Sequence, residues 1–144
     1  PPRRSSDLTE TKDTPVRLDF PFVGIPSFLR SQICTDLDQL NADIAVFGIP
    51  HDEGSPFLSG SRMGPRSIRE HSLRFGREGS IYDPETRTQY LSEELGQGLI
   101  ADVGDVDVWP TEVRTTFKNA TDMTRKIPAK GAFPVMPGGD HGVT

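Results

Sequence analysis

A chain of 144 residues is long enough for one domain of ordinary size, but only 33% is hydrophobic and it carries 14 Gly and 13 Pro, lean for a self-sufficient core. The net charge of −5 speaks against a nucleic-acid surface, which needs clustered Lys and Arg. No apolar run approaches the ~18 residues of a membrane span.

Residues 1–19 are polar with mixed charges and no apolar stretch, so they read as a flexible arm rather than a signal peptide. Phe20–Phe28 is aromatic and broken by Pro and Gly, which suits an irregular docked segment. The single cysteine, Cys34, cannot form an intrachain disulfide; a reducing, cytoplasmic location and a packed or surface thiol are expected. Thr35–Leu40 opens on capping residues and predicts one or two helical turns. Asp43–Ile49 is an apolar, β-branched run, the pattern of a strand covered on both faces. It leads into the polar loop Pro50-His51-Asp52-Glu53-Gly54 at the strand's carboxyl end, where open α/β sheets bind ligands.

A helix begins at Gly64-Pro65, since proline suits the first helical position. Gly79–Leu91 reads as two short extended pieces about a turn. Leu99–Val106 is a second buried strand, and Thr111–Ile127 an amphipathic helix with Val113, Phe117, Ala120 and Ile127 in its stripe, stopped at Gly131. Phe133–Met136 is a third strand, running into Gly138-Gly139-Asp140-His141. Strand, helix, strand, helix, strand predicts an α/β fold with a mainly parallel sheet.

His141 sits where two glycines let the backbone turn and approach a bound group. A neutral imidazole there is a divalent-metal donor, or else an ordinary turn histidine. Asp140 either orients it or caps its own turn. Asp52 and Glu53 either contact a cationic substrate or hold a neighbouring loop. His51 reads as a surface or turn residue, and His71 as a helix-face residue. Arg62, Arg66 and Arg69 read as fold-stabilising pairs or subunit contacts, with an anion site as the alternative. Trp109 reads as a packing or interface residue. There is no GxGxxG and no P-loop.

Three segments together carry a resemblance. Phe47–Gly54 followed by Ser59-Gly60-Ser61-Arg62-Met63-Gly64-Pro65-Arg66-Ser67-Ile68-Arg69, then Asp102-Val103-Gly104-Asp105-Val106, then Pro137–Gly142 with its Gly-Gly-Asp-His resemble the ureohydrolase (arginase/agmatinase) family motifs in order. The branch they look most like includes agmatinase, guanidinobutyrase, guanidinopropionase and guanidine hydrolase. The resemblance implies a three-layer α/β/α fold, with residues 20–144 as its N-terminal portion, incomplete at the C-terminus. It implies hydrolysis of a guanidino group to urea and an amine or ammonia, through a hydroxide bridging two divalent ions, manganese or alternatively nickel. His141 matches the first metal ligand. The family's later ligand motifs, Asp-Ala-His-x-Asp and Ser-x-Asp-x-Asp-x-x-Asp-Pro, are not in this sequence, so the chain by itself is expected to be inactive. A homo-oligomer, trimer or hexamer, is also implied, with a cationic guanidino substrate and no nucleic-acid or membrane partner.

Such a metal site answers a chemical need. A guanidinium stays cationic, with a pKa above ~12, and its carbon is a poor electrophile. Metal binding lowers the pKa of water from about 15.7 toward ~7 and so supplies hydroxide at neutral pH. The alternatives are a noncatalytic subunit or pseudoenzyme of the same fold, and a small α/β binding module.

Overall fold

The computed structural model describes residues 22–75 and 81–143. The arm expected over 1–19, the first two residues of the Phe20–Phe28 segment, and Gly79 and Ser80 lie outside the described residues.

Four parallel strands make the sheet. They are β1 (Gln32–Ile33), β2 (Ile44–Gly48), β5 (Ile100–Asp105) and β6 (Phe133–Val135), in the order β1-β5-β2-β6. The antiparallel pair β3 (Tyr82–Asp83) and β4 (Thr88–Gln89) forms a separate two-stranded ribbon, as the turn between extended pieces predicts. Helices α1 (Gly64–Ser72) and α3 (Val113–Ala129) fall between the long strands, with a short α2 (Ser92–Gly96) before β5. The predicted Thr35–Leu40 turns are a 3-10 turn over Leu37–Gln39, capped where the Asp36 carboxylate accepts the Asp38 N–H at 2.9 Å. Among the described residues no helix is long and apolar enough to cross a membrane.

Strand side chains alternate between faces, and the two faces of β2 have different covers. Ala45, Phe47 and Ile49 point into one cluster with Val103, Ala120 and Ile127, so α3 covers that side. Full burial of Phe47, Ile49 and Ile127 stabilises by about 1.5–3 kcal/mol each. The α3 stripe differs from the predicted one by a residue: Thr116 is fully buried, while Phe117 is 37% exposed. The Thr116 hydroxyl accepts the Trp109 N–H at 2.9 Å, which lets a polar side chain occupy the core while the Trp109 ring stays exposed. Cys34 packs half-buried against the same cluster.

On the other face, α1 is held by charge. The strand ladder runs Val46↔Asp102 and then Phe47↔Gly104, so β5 carries one extra residue at this point. Asp102 and Asp105 are three apart and would face opposite sides of a regular strand. The bulge turns both toward α1, and Gly104 absorbs the distortion with φ +85°, a conformation glycine adopts without strain. Arg69 of α1 meets both carboxylates: Nε donates to Asp102 at 2.7 Å, Nη1 to Asp105 at 2.6 Å, and Nη2 to the Gly104 carbonyl at 2.9 Å. Burial works against the charged guanidinium, but the hydrogen bonds to Asp102 and Asp105 outweigh it and raise the Arg69 pKa above its ordinary value. Asp102 also accepts the Phe28 N–H at 2.8 Å, which ties the entering segment to the sheet.

Because Arg69 and Asp102 are both buried, Arg69→Ala leaves carboxylates without their cation and is expected to cost about 3–5 kcal/mol. Denaturant unfolding of the whole protein checks this, and a loss below about 1 kcal/mol contradicts the central role given to the pair.

Candidate functional site

Three loops meet at the carboxyl edge of the sheet: residues 49–54 after β2, 60–64 leading into α1, and 137–142 after β6. The first and third are sewn together by backbone bonds, Ile49 N–H to the Pro137 carbonyl at 3.4 Å and Asp140 N–H to the His51 carbonyl at 2.9 Å. Gly139 lies against the His51 backbone. A Cβ there would overlap the His51 carbonyl oxygen and stand 2.7 Å from its carbon, so only glycine fits. The second loop joins at Gly64, where a Cβ would meet the Gly138 carbonyl at 3.0 Å.

Asp52 organises the loop between the first two segments. One oxygen accepts the Gly60 N–H at 2.6 Å and the Arg62 N–H at 3.3 Å, while the other takes the Arg62 Nε at 2.6 Å. Its side chain is fully buried, whereas that of Arg62 is half exposed. The Arg62 hydrogen bond, with the backbone N–H groups, holds the Asp52 carboxyl down to about 2. Glu53 is exposed on the adjacent turn, close enough for its charge to act on Arg62.

Asp140 uses both carboxylate oxygens, accepting the Gly142 N–H at 2.7 Å with Oδ1 and the Gly54 N–H at 2.7 Å with Oδ2. It therefore caps its own turn and also reaches the opposite loop. His141 is exposed and begins the 3-10 turn His141–Val143, on the wall of a cavity of about 220 Å³ shared with Met136 and Gly138–Asp140.

The structure thus brings Asp52, Glu53, Asp140 and His141 to one edge. It corrects the reading of His51 as a surface residue: it does lie in a turn, but is only 3% exposed, its ring 5.2 Å from that of Phe117 in an edge-on contact. Arg66 pairs with Glu70 one turn on, and the His71 ring contacts the Ser67 carbonyl at 2.8 Å, so both serve the helix. Arg69 makes a fold-stabilising pair as the sequence suggests, but sequence reading missed its partners, Asp102 and Asp105. A charged residue inside the apolar run of β5 was the available signal, because a buried carboxylate calls for a buried partner.

A divalent ion needs several donors, and among the described residues no three His, Cys, Asp or Glu side chains cluster to hold one. His141 fits a ligand position in kind, an exposed imidazole on a tightly held turn. It is one donor, and a single imidazole does not make a divalent-ion site.

An arginase-family profile matches residues 42–144. The chain is 33% identical over 122 residues to the human mitochondrial guanidino acid hydrolase, covering 85% of this chain and 32% of that protein. It is 30% identical over 125 residues to a guanidinopropionase of Pseudomonas aeruginosa, covering 85% and 36%. A crystal structure described as a hypothetical agmatinase from Burkholderia thailandensis superposes with a TM-score of 0.67 at 25% identity, over 84% of this chain and 35% of that one. The chain spans about a third of the length of these relatives.

Gly139→Ala is expected to push the histidine turn off the His51 carbonyl, lowering the melting temperature and opening residues 137–142 to protease. Gly96→Ala, where a Cβ meets nothing, serves as the control and leaves both unchanged. The Asp52 carboxyl makes a second prediction. Its folded pKa lies below the ordinary 3.8, so its contribution to stability is complete above that value and lost as pH falls through about 2. The stability gap between the protein and Asp52→Ala should stay constant at neutral pH and narrow only below about pH 4. A gap already closing near neutrality rules out the pairing as drawn.

Proposed function

This chain belongs to the arginase family, and from that premise we propose that the whole protein containing it hydrolyses a guanidino compound to urea and an amine or ammonia. The candidate substrates are agmatine, guanidinobutyrate, guanidinopropionate and free guanidine. The observation that carries the reading is the meeting of the motif loops at one sheet edge, with His141 exposed on a turn fixed by Gly139 and Asp140. The similarity to a guanidino acid hydrolase and to a guanidinopropionase supports the substrate class.

Two divalent ions belong to this reading, with manganese first and nickel as the alternative; nitrogen and oxygen donors accept either. When bound, they supply a nucleophile that neutral water is not. The chain's own residues then have limited tasks. His141 offers an imidazole nitrogen, and Asp140 holds its turn. Glu53 places a negative charge at the same edge, where a guanidinium would be attracted. Asp52 keeps the loop that carries Glu53 in shape. The reading extends to a homo-oligomer, a trimer or hexamer, supported by large apolar side chains left exposed at Phe57, Leu58 and Trp109. A reducing, cytoplasmic setting is supported by the lone Cys34 of this chain.

The test is His141→Ala in the whole protein, with bound metal measured and urea assayed over a panel of guanidino compounds. Metal content should fall, and urea release should drop by at least about 100-fold, the upper range for changes one shell further out. Normal metal content and turnover in that variant would sink the assignment. A wild-type protein that releases no urea from any compound would favour the noncatalytic subunit instead.

A further inference from the structure

We infer that Asp140 is the positioning residue for His141, a staple that fixes the imidazole by joining its turn to the loop after β2; the inference rests on the reading of His141 as a metal ligand. Asp140 is held at four points, one of them its carbonyl, which accepts the Val143 N–H at 3.4 Å within the turn. Its N–H donates to the His51 carbonyl at 2.9 Å, its Oδ2 accepts from Gly54 at 2.7 Å, and its Oδ1 accepts from Gly142 at 2.7 Å. These bonds bracket His141 in the chain: the residue before it is tied to the opposite loop, and the residue after it is tied to that same carboxylate. The backbone of His141 cannot shift without breaking one of them. An aspartate that merely capped its turn would need only the Gly142 bond. The bond to Gly54 spans 86 residues and makes the histidine's place depend on a second loop.

That second loop is firm enough to serve. Gly54 lies in the turn closed by the Ser55 N–H to the Asp52 carbonyl at 3.1 Å. The Asp52 carboxylate ties the same turn to Gly60 and Arg62. Space is short at the staple itself, since a Cβ on Gly54 would stand 2.9 Å from Asp140 Oδ2. Both partners of Asp140 are N–H donors, so both of its side-chain atoms must accept. An ionised carboxylate does this, whereas asparagine has one acceptor and would turn its NH₂ toward a donor.

The experiment uses the whole protein as Asp140→Asn, Gly54→Ala and the double variant. Two quantities are measured: hydrogen exchange of the amides at 54 and 142, and the dissociation constant for Mn²⁺. Each single change should unprotect amide 142 and weaken Mn²⁺ binding by about 10–100-fold, the range for groups that orient a ligand. The double variant should be no worse than Asp140→Asn, because both changes break one staple. Losses that multiply in the double variant would overturn the inference. So would Asp140→Asn with unchanged Mn²⁺ affinity while His141→Ala loses the metal, an outcome that leaves the proposed function standing. If Asp140→Asn does not fold, Gly54→Ala alone must still weaken Mn²⁺ binding and unprotect amide 142, or the inference fails. Normal Mn²⁺ binding by His141→Ala removes both readings.

Discussion

One guanidinium holds this architecture together. Arg69 is a long cation inserted between a helix and a strand, and it is tolerated in a buried place because two carboxylates and a carbonyl receive its N–H groups. That arrangement depends on the irregularity in β5. Were β5 regular opposite Val46 and Phe47 of the neighbouring strand, Asp105 would face the side opposite Asp102, the side that α3 covers. The bulge converts a clash of polarity into a charge cluster.

The two central strands, β2 and β5, were legible because they are covered on both faces. Such strands cannot alternate in polarity, and β2 and β5 each appear in the sequence as an apolar run within two residues of its observed ends; β6 reads as a short apolar run too, although Phe133 is exposed. α3 was legible for the complementary reason, a stripe at helical spacing over 17 residues. β1 has two residues, both exposed, and is a strand only because β5 lies beside it. α2 has five residues and no buried one, so no periodicity could develop. In these two cases the partner makes the element, and the partner is remote in sequence.

The candidate site divides in the same way. That His141 would stand on a loop at the carboxyl edge follows from a short apolar run leading into two glycines. Which carboxylate serves which partner does not follow, because Asp140 meets Gly54 across the whole β2–β6 interval. His51 shows the limit most plainly. It occupies a polar loop, and polarity there suggests solvent, yet the docking of Gly139 on its backbone and of Phe117 on its ring takes it out of water. The inward turn of that side chain is a consequence of loop packing, which no single segment encodes.

A division of labour emerges among the acidic residues at this edge. Asp52, Asp105 and Asp140 each have an N–H or guanidinium partner, and each bond closes a loop or fixes a helix. Their negative charge is already neutralised or shared, so they attract a cationic ligand weakly and instead set the shape of the edge. Glu53 and His141 face solvent beside them. Carboxylates committed to backbone N–H groups make the edge rigid, and that rigidity is how a loop cluster can place an exposed imidazole reproducibly.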